Sequence, residues 1–150
     1  MDLASPIVSG QWQEMSEMTD YRAEWLSDVF IERATWREGC VRRSLPDIQR
    51  HVSIAGPGYI WMRFWFQKEE QIFEEYFDSD RLPVGIFTPV SIDFEQHGKK
   101  LTAQHLLLSL WIANDGRVTV LGEDAFDKAV RDKVLSPVEI EQAEYRIREL

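Results

Sequence analysis

The stretch HLLLSLWIANDGRVTVLGEDAFDKAV, residues 105–130, carries three local signals in succession. Leu106, Leu108, Leu110 and Ile112 alternate with His105, Leu107, Ser109 and Trp111, and a period of two sends the two sets to opposite faces of a sheet. Asn114-Asp115-Gly116 tolerates the positive φ of a tight reversal, so Arg117 to Leu121 returns as the second strand of a hairpin, with Val118 and Val120 on one face. Gly122-Glu123-Asp124 then opens a helix whose carboxylates meet the positive end of its dipole, with Phe126, Ala129 and Val130 at helical spacing behind them.

Upstream the texture is β. Glu38-Gly39 reads as a turn, and strands from Cys40 to Ser44 and from Ile48 to Ile54 flank a break at Leu45-Pro46-Asp47. Ala55-Gly56-Pro57-Gly58 is a strong turn. After it, Tyr59 to Phe66 places Ile60, Met62, Phe64 and Phe66 on one face and Tyr59, Trp61, Arg63 and Trp65 on the other. Bulky groups on both faces suit a barrel wall that is overlaid by a helix or lines an occupied cavity. Gln71 to Phe77 and Val84 to Glu95 are further strands, and Pro89, lacking an N–H, marks an edge, bulge or bend in the second. Ser136-Pro137-Val138-Glu139 is a capping box, followed by an apolar stripe of Ile140, Ala143, Ile147 and Leu150. At the other end, residues 1–19 show no sustained period and are expected to be a mobile lead-in. Asp20 as N-cap, with Tyr21, Trp25, Leu26 and Val29 behind it, suggests a short helix. The expected fold is mainly β: one antiparallel β-barrel over residues 20–150, with an N-terminal helix and two C-terminal helices.

The Leu-x-Leu strand, DG turn, Val-x-Val-Leu strand and acidic helix start resemble the FomD-like proteins, domain of unknown function 402. The run WMRFW (residues 61–65) and the strand GIFTPVSI (residues 85–92) extend the resemblance over roughly the last two-thirds of the chain. It implies a barrel related to metal-dependent hydrolases of nucleoside di- and triphosphates or of a nucleotide-linked phosphonate ester. Carboxylates and an Asn hold divalent cations at the mouth of such barrels. The family's Asp-Leu-x-Leu-Asp strand has His105, Leu107 and Ser109 at its acidic places here. Its Asp-x-Asp-Glu helix start falls on Gly122, Asp124 and Ala125, so only Asp124 keeps a carboxylate. Its preceding Asn or Asp falls on Pro89. Mg²⁺ needs hard oxygen ligands, so the resemblance implies the fold while the residues argue against the activity.

Two functions from different classes follow. In the first the chain is a pseudoenzyme, a non-catalytic or repurposed barrel without cofactor that binds a phosphate-bearing small ligand or a protein partner. Arg42, Arg43, Arg50, Trp61, Arg63, Trp65 and His105 are its candidate binding residues, since aromatic faces stack and guanidinium groups grip phosphate. Plain packing and outward strand residues are the simpler reading of the same groups. In the second, the chain is a phosphohydrolase whose Mg²⁺ or Mn²⁺ is held by other acids: Glu75, Asp78, Asp93, Glu123 and Asp124. A Ser–His dyad within one strand is ruled out on spacing, because His105 and Ser109 would stand roughly 13 Å apart in an extended chain. His51, His97 and His105 lack metal-ligand spacing.

At 150 residues and 44% hydrophobic content the chain fits one domain with a real core. The net charge of −9 works against nucleic-acid and anionic-membrane binding, both of which need Lys and Arg to displace counterions. Against that background, six arginines between Arg33 and Arg63 face only Glu38 and Asp47. The single cysteine, Cys40, excludes an internal disulfide. The N-terminal residues lack a basic, then apolar, leader pattern. The expectation is a cytoplasmic protein that self-associates into a homodimer.

Overall fold

Two long strands, β8 (Pro83–His97) and β9 (Lys100–Ala113), form the spine of the molecule. The structure is a computed structural model and describes residues 6–46 and 51–149. Before the spine come β1 (Ile7–Val8), a 3-10 turn (Gln11–Glu14), β2 (Met18–Leu26), β3 (Val29–Trp36), β4 (Arg43–Pro46), β5 (His51–Ala55), β6 (Ile60–Phe66) and β7 (Gln71–Phe77). After it come β10 (Val118–Leu121), α1 (Glu123–Arg131) and α2 (Pro137–Glu149). The main sheet is antiparallel in the order β1-β9-β8-β7-β6-β3-β2, with β10 also on β9, and it curls into a half-barrel. The β4–β5 hairpin forms a second, two-stranded sheet.

The concave face gathers the large aromatics. Trp65 and Ile72 pack with Leu101 and Ala103, while Tyr76 and Trp111 pack with Ile54 of β5. Both helices lie on the opposite face of the spine, where Val90, Ile92, Leu106 and Leu108 bury Phe126, Ala129, Leu135 and Ala143. Each Val, Ile, Leu or Phe side chain among them contributes about 1.5–3 kcal/mol when fully buried. Ser136 Oγ accepts from Glu139 N at 3.1 Å and Glu139 Oε1 accepts from Ser136 N at 2.9 Å, the reciprocal cap expected of this sequence. Ile140 and Ile147 pack as expected against the helix-side core, while Leu150 lies outside the described residues.

Four expectations are corrected. The helix expected from Asp20 is a strand: Met18 to Leu26 pairs with β3, Asp20 takes a φ of 52°, and the pairing slips between Thr19 and Arg22. Cross-strand pairing and burial outweigh the local helical spacing of Tyr21 and Trp25. The described part of the lead-in is packed, with Ile7 paired to Ala103 and Trp12 only 2% exposed. The break at Leu45-Pro46 is instead strand, paired with Val52 and His51. Pro46 is tolerated there because β4 is an edge. Lastly, the helices cover β8 and β9 rather than β6.

Candidate functional site

The region to which the resemblance points is shaped by a bulge in β9. Pro89 pairs with Ser109 and Ser91 with His105, so four steps of β9 are matched against two of β8. The slack is taken up at Leu107, whose φ is 73° and whose side chain packs with the helix-side core. Contracting the strand brings His105 Nε2 to 3.2 Å from Ser109 Oγ and 3.2 Å from the Leu108 carbonyl oxygen. The separation expected from an extended chain is thereby overturned, because strand spacing holds only where the ladder is regular. Burial pushes the His105 imidazole below the usual histidine range, opposed by the Leu108 carbonyl and the Glu74 charge. Ser109 is buried beside it.

Gly122 closes this region from the other side. It caps α1 with a φ of 84°, and a Cβ built there would run into the Leu107 carbonyl oxygen. The bulge backbone therefore occupies the space that a side chain at residue 122 would need. Pro89, Leu107, Gly122 and Ala125 carry no side-chain donor, and Asp124 and Ala125 are exposed in the first turn of α1. These residues do not fit a divalent cation, which needs several converging hard oxygens.

The polar centre of the half-barrel lies instead in one cross-strand row, Glu32–Arg63–Glu74, on β3, β6 and β7. All three are buried. Arg63 Nε donates to Glu74 Oε2 at 3.0 Å, and its Nη1 stands 3.6 Å from Glu32 Oε2. Nη1 also reaches Gln11 Oε1 at 3.2 Å and the Val8 carbonyl at 3.4 Å, and the guanidinium lies 4.4 Å over the Trp12 ring. Glu32 accepts from Tyr21 Oη and Gly10 N, both at 2.6 Å, and from Trp65 Nε1 at 2.7 Å. Glu74 accepts from Tyr76 Oη at 2.7 Å. Burial, then the neighbouring carboxylates, raise both tyrosines well above the usual phenol range. Each buried charge thus has partners, and the N-terminal segment supplies several of them.

The candidate binding residues do not converge. Arg63 and Trp65 belong to the buried row, and Trp61 donates from Nε1 to the Ile54 carbonyl at 2.6 Å while stacking on Tyr76. Arg42 and Arg43 are exposed at β4, with Arg43 over the Trp36 ring and 3.4 Å from Glu17. Arg50 lies outside the described residues. The alternative acids are equally dispersed. Glu75 faces outward between Met62 and Ile86, and Asp78 Oδ1 accepts from the backbone of Asp80 and Leu82. Asp93 is exposed at a φ of 55°, and Glu123 and Asp124 begin α1. Among the described residues no group of three or more His, Cys, Asp or Glu is placed to hold a metal ion. His97 pairs with Glu95 at 2.8 Å, away from His105. Sequence reasoning missed Glu32 and the Val8 to Trp12 segment. The alternation of Glu32, Ala34 and Trp36 was the signal for Glu32; none marked Trp12.

No family model matches the sequence, and no curated protein matches it. Solved structures do. The chain is similar to the phosphatase SC4828, solved with the non-hydrolysable nucleotide GPCP, at a TM-score of 0.61 and 11% identity over 81% of this chain. It spans 65% of that protein's length. It is also similar to a protein of unknown function DUF402 from Rhodococcus sp. RHA1, at a TM-score of 0.57 and 12% identity, covering 88% of this chain and 69% of that one. The fold is therefore that of the DUF402 and FomD-like barrels, as the hairpin and its flanking strands implied.

Proposed function

We propose that this chain, built on a fold it shares with a nucleotide-bound phosphatase, has given up cation-dependent hydrolysis and acts by binding. The observation that supports the reading is the contact between Gly122 and the Leu107 bulge: a side chain at residue 122, the position that the resemblance aligns with a carboxylate, would run into the Leu107 carbonyl oxygen. The Glu32–Arg63–Glu74 row supports it, since the strongest anion-binding group of the interior is already held by two carboxylates. A protein partner is favoured over a phosphate-bearing small ligand. Arg63 is occupied, and Arg43 shares its charge with Glu17.

The test is phosphate release from a panel of nucleoside di- and triphosphates with Mg²⁺ and with Mn²⁺, alongside thermal-shift titration of the same compounds. The expected result is no release above the protein-free control and no ligand-induced rise in Tm. Turnover that is abolished by a chelator and by Asp124→Ala would instead establish the phosphohydrolase reading. Stabilisation by nucleotide without turnover would favour the small-ligand form of the binding reading.

A further inference from the structure

We infer that the outer face of β3, β6 and β7 is the seat of a second copy of this chain, related by a two-fold axis that runs along β6. This rests on the outer face alone and is independent of what the interior does. The helices make their main contacts with β8 and β9, and among the described residues no further layer is packed on the outward side chains of the neighbouring strands. Ile31, Met62, Phe64, Phe66, Phe73 and Ile86 stand there half-buried, and shallow recesses of about 330 and 210 Å³ flank β6 on its two sides. Apolar side chains contiguous over several strands mark an interface on a protein of this size.

The register specifies the occupant. Across the outer face one row reads Arg22, Arg33, Met62, Glu75, Ile86, and the next reads Glu24, Ile31, Phe64, Phe73. Arg33 lies in the recess on one side of β6 and Glu75 in the recess on the other. They are two strand spacings apart, roughly 10 Å, and neither makes an ion pair among the described residues. A two-fold axis lying in the interface along β6 reverses each row onto itself. Arg33 of one protomer then meets Glu75 of the other, twice per dimer. Ile31 meets Phe73 twice, and Met62 and Phe64 meet their own copies at the axis. An axis across the strands would lay Arg33 on Val29 and Glu75 on Gln71, burying two unpaired charges. The first arrangement also sets Arg22 against Ile86, but Arg22 is exposed at the margin of the patch, so only this arrangement pairs the two central charges, as a self-complementary isologous interface requires.

Sedimentation equilibrium of the full chain, at concentrations up to about 100 μM, well above the Kd of a standard-size interface, reads the assembly directly. The wild-type chain is expected to be a dimer. Arg33→Glu and Glu75→Arg should each raise the dimer Kd by about tenfold or more, since each substitution breaks two pairs at once. The double exchange Arg33→Glu with Glu75→Arg re-forms both pairs with swapped signs and should return Kd to within about threefold of wild type. Near-UV circular dichroism checks that each variant is folded, and Arg33→Gln replaces Arg33→Glu if the latter is not. A wild-type monomer, a dimer indifferent to the single changes, or a double exchange that fails to restore association would each overturn the assignment.

Discussion

Adding one carbon at residue 122 should harm this chain more than most side-chain deletions. Gly122→Ala meets both the Leu107 carbonyl and a φ of 84°, so a loss of about 2–4 kcal/mol in urea unfolding is expected. Arg63→Met leaves Glu32 and Glu74 facing each other, both buried, without a cation, and should cost about 3–5 kcal/mol in the same measurement. His105 gives a pH signature. Its folded pKa lies below the unfolded value, so the unfolded chain binds the extra proton first. Stability is fully present above the unfolded pKa of about 6.5 and falls as pH drops from there toward the lowered folded value. Thermal melts stepped downward from pH 7.5 should show this loss, and His105→Asn should flatten it. Residue identities alone disclosed that Pro89, Leu107, Gly122 and Ala125 offer no side-chain oxygen to a cation. They did not disclose the bond between His105 and Ser109, because a bulge changes distance along a strand without changing the letters that spell it. The pair Glu74 and Glu75 was legible in part: adjacent strand residues must point apart, and one is buried in the row while the other faces outward.

Elements whose signals are local came through well, and those that depend on distant partners did not. The capping box, the β9–β10 hairpin and the strand Gln71–Phe77 all stand where short-range pattern placed them. Ser136→Ala should therefore cost about 1 kcal/mol of stability, measured by chemical denaturation, because it strips one half of a reciprocal cap. β2 was misread because Tyr21, Trp25 and Val29 fall at helical spacing, while the deciding interaction is Tyr21 with Glu32 across the hairpin. The Trp12 segment was read as loose for a similar reason. Its anchors are Arg63, 51 positions further along the chain by residue number, and the Trp61 ring at 5.7 Å. Trp12→Ala should cost about 3–5 kcal/mol in urea unfolding, as for a large aromatic removed from a core. A truly mobile lead-in would show almost no change.

At the scale of the whole molecule, the half-barrel has one face filled by its own aromatics and a buried charge row, and another left partly open beside the helices. If two copies meet on that open face, apparent Tm should rise with protein concentration for the wild-type chain and become concentration-independent in Arg33→Glu, since association stabilises only the folded state. Scanning fluorimetry over a wide dilution series measures this. The amino-acid order by itself determined the β character, the terminal hairpin and helices, and the want of any side-chain oxygen donor at Pro89, Leu107, Gly122 and Ala125, because periodicity, turn chemistry and ligand chemistry are properties of neighbouring residues. Only the tertiary structure decided that Gly122 is packed against the Leu107 backbone, that Arg63 is claimed by Glu32 and Glu74, and that the N-terminal segment closes over them. Those outcomes depend on which strands pair and in what register, and register is set by burial summed over the whole sheet, which no local stretch contains.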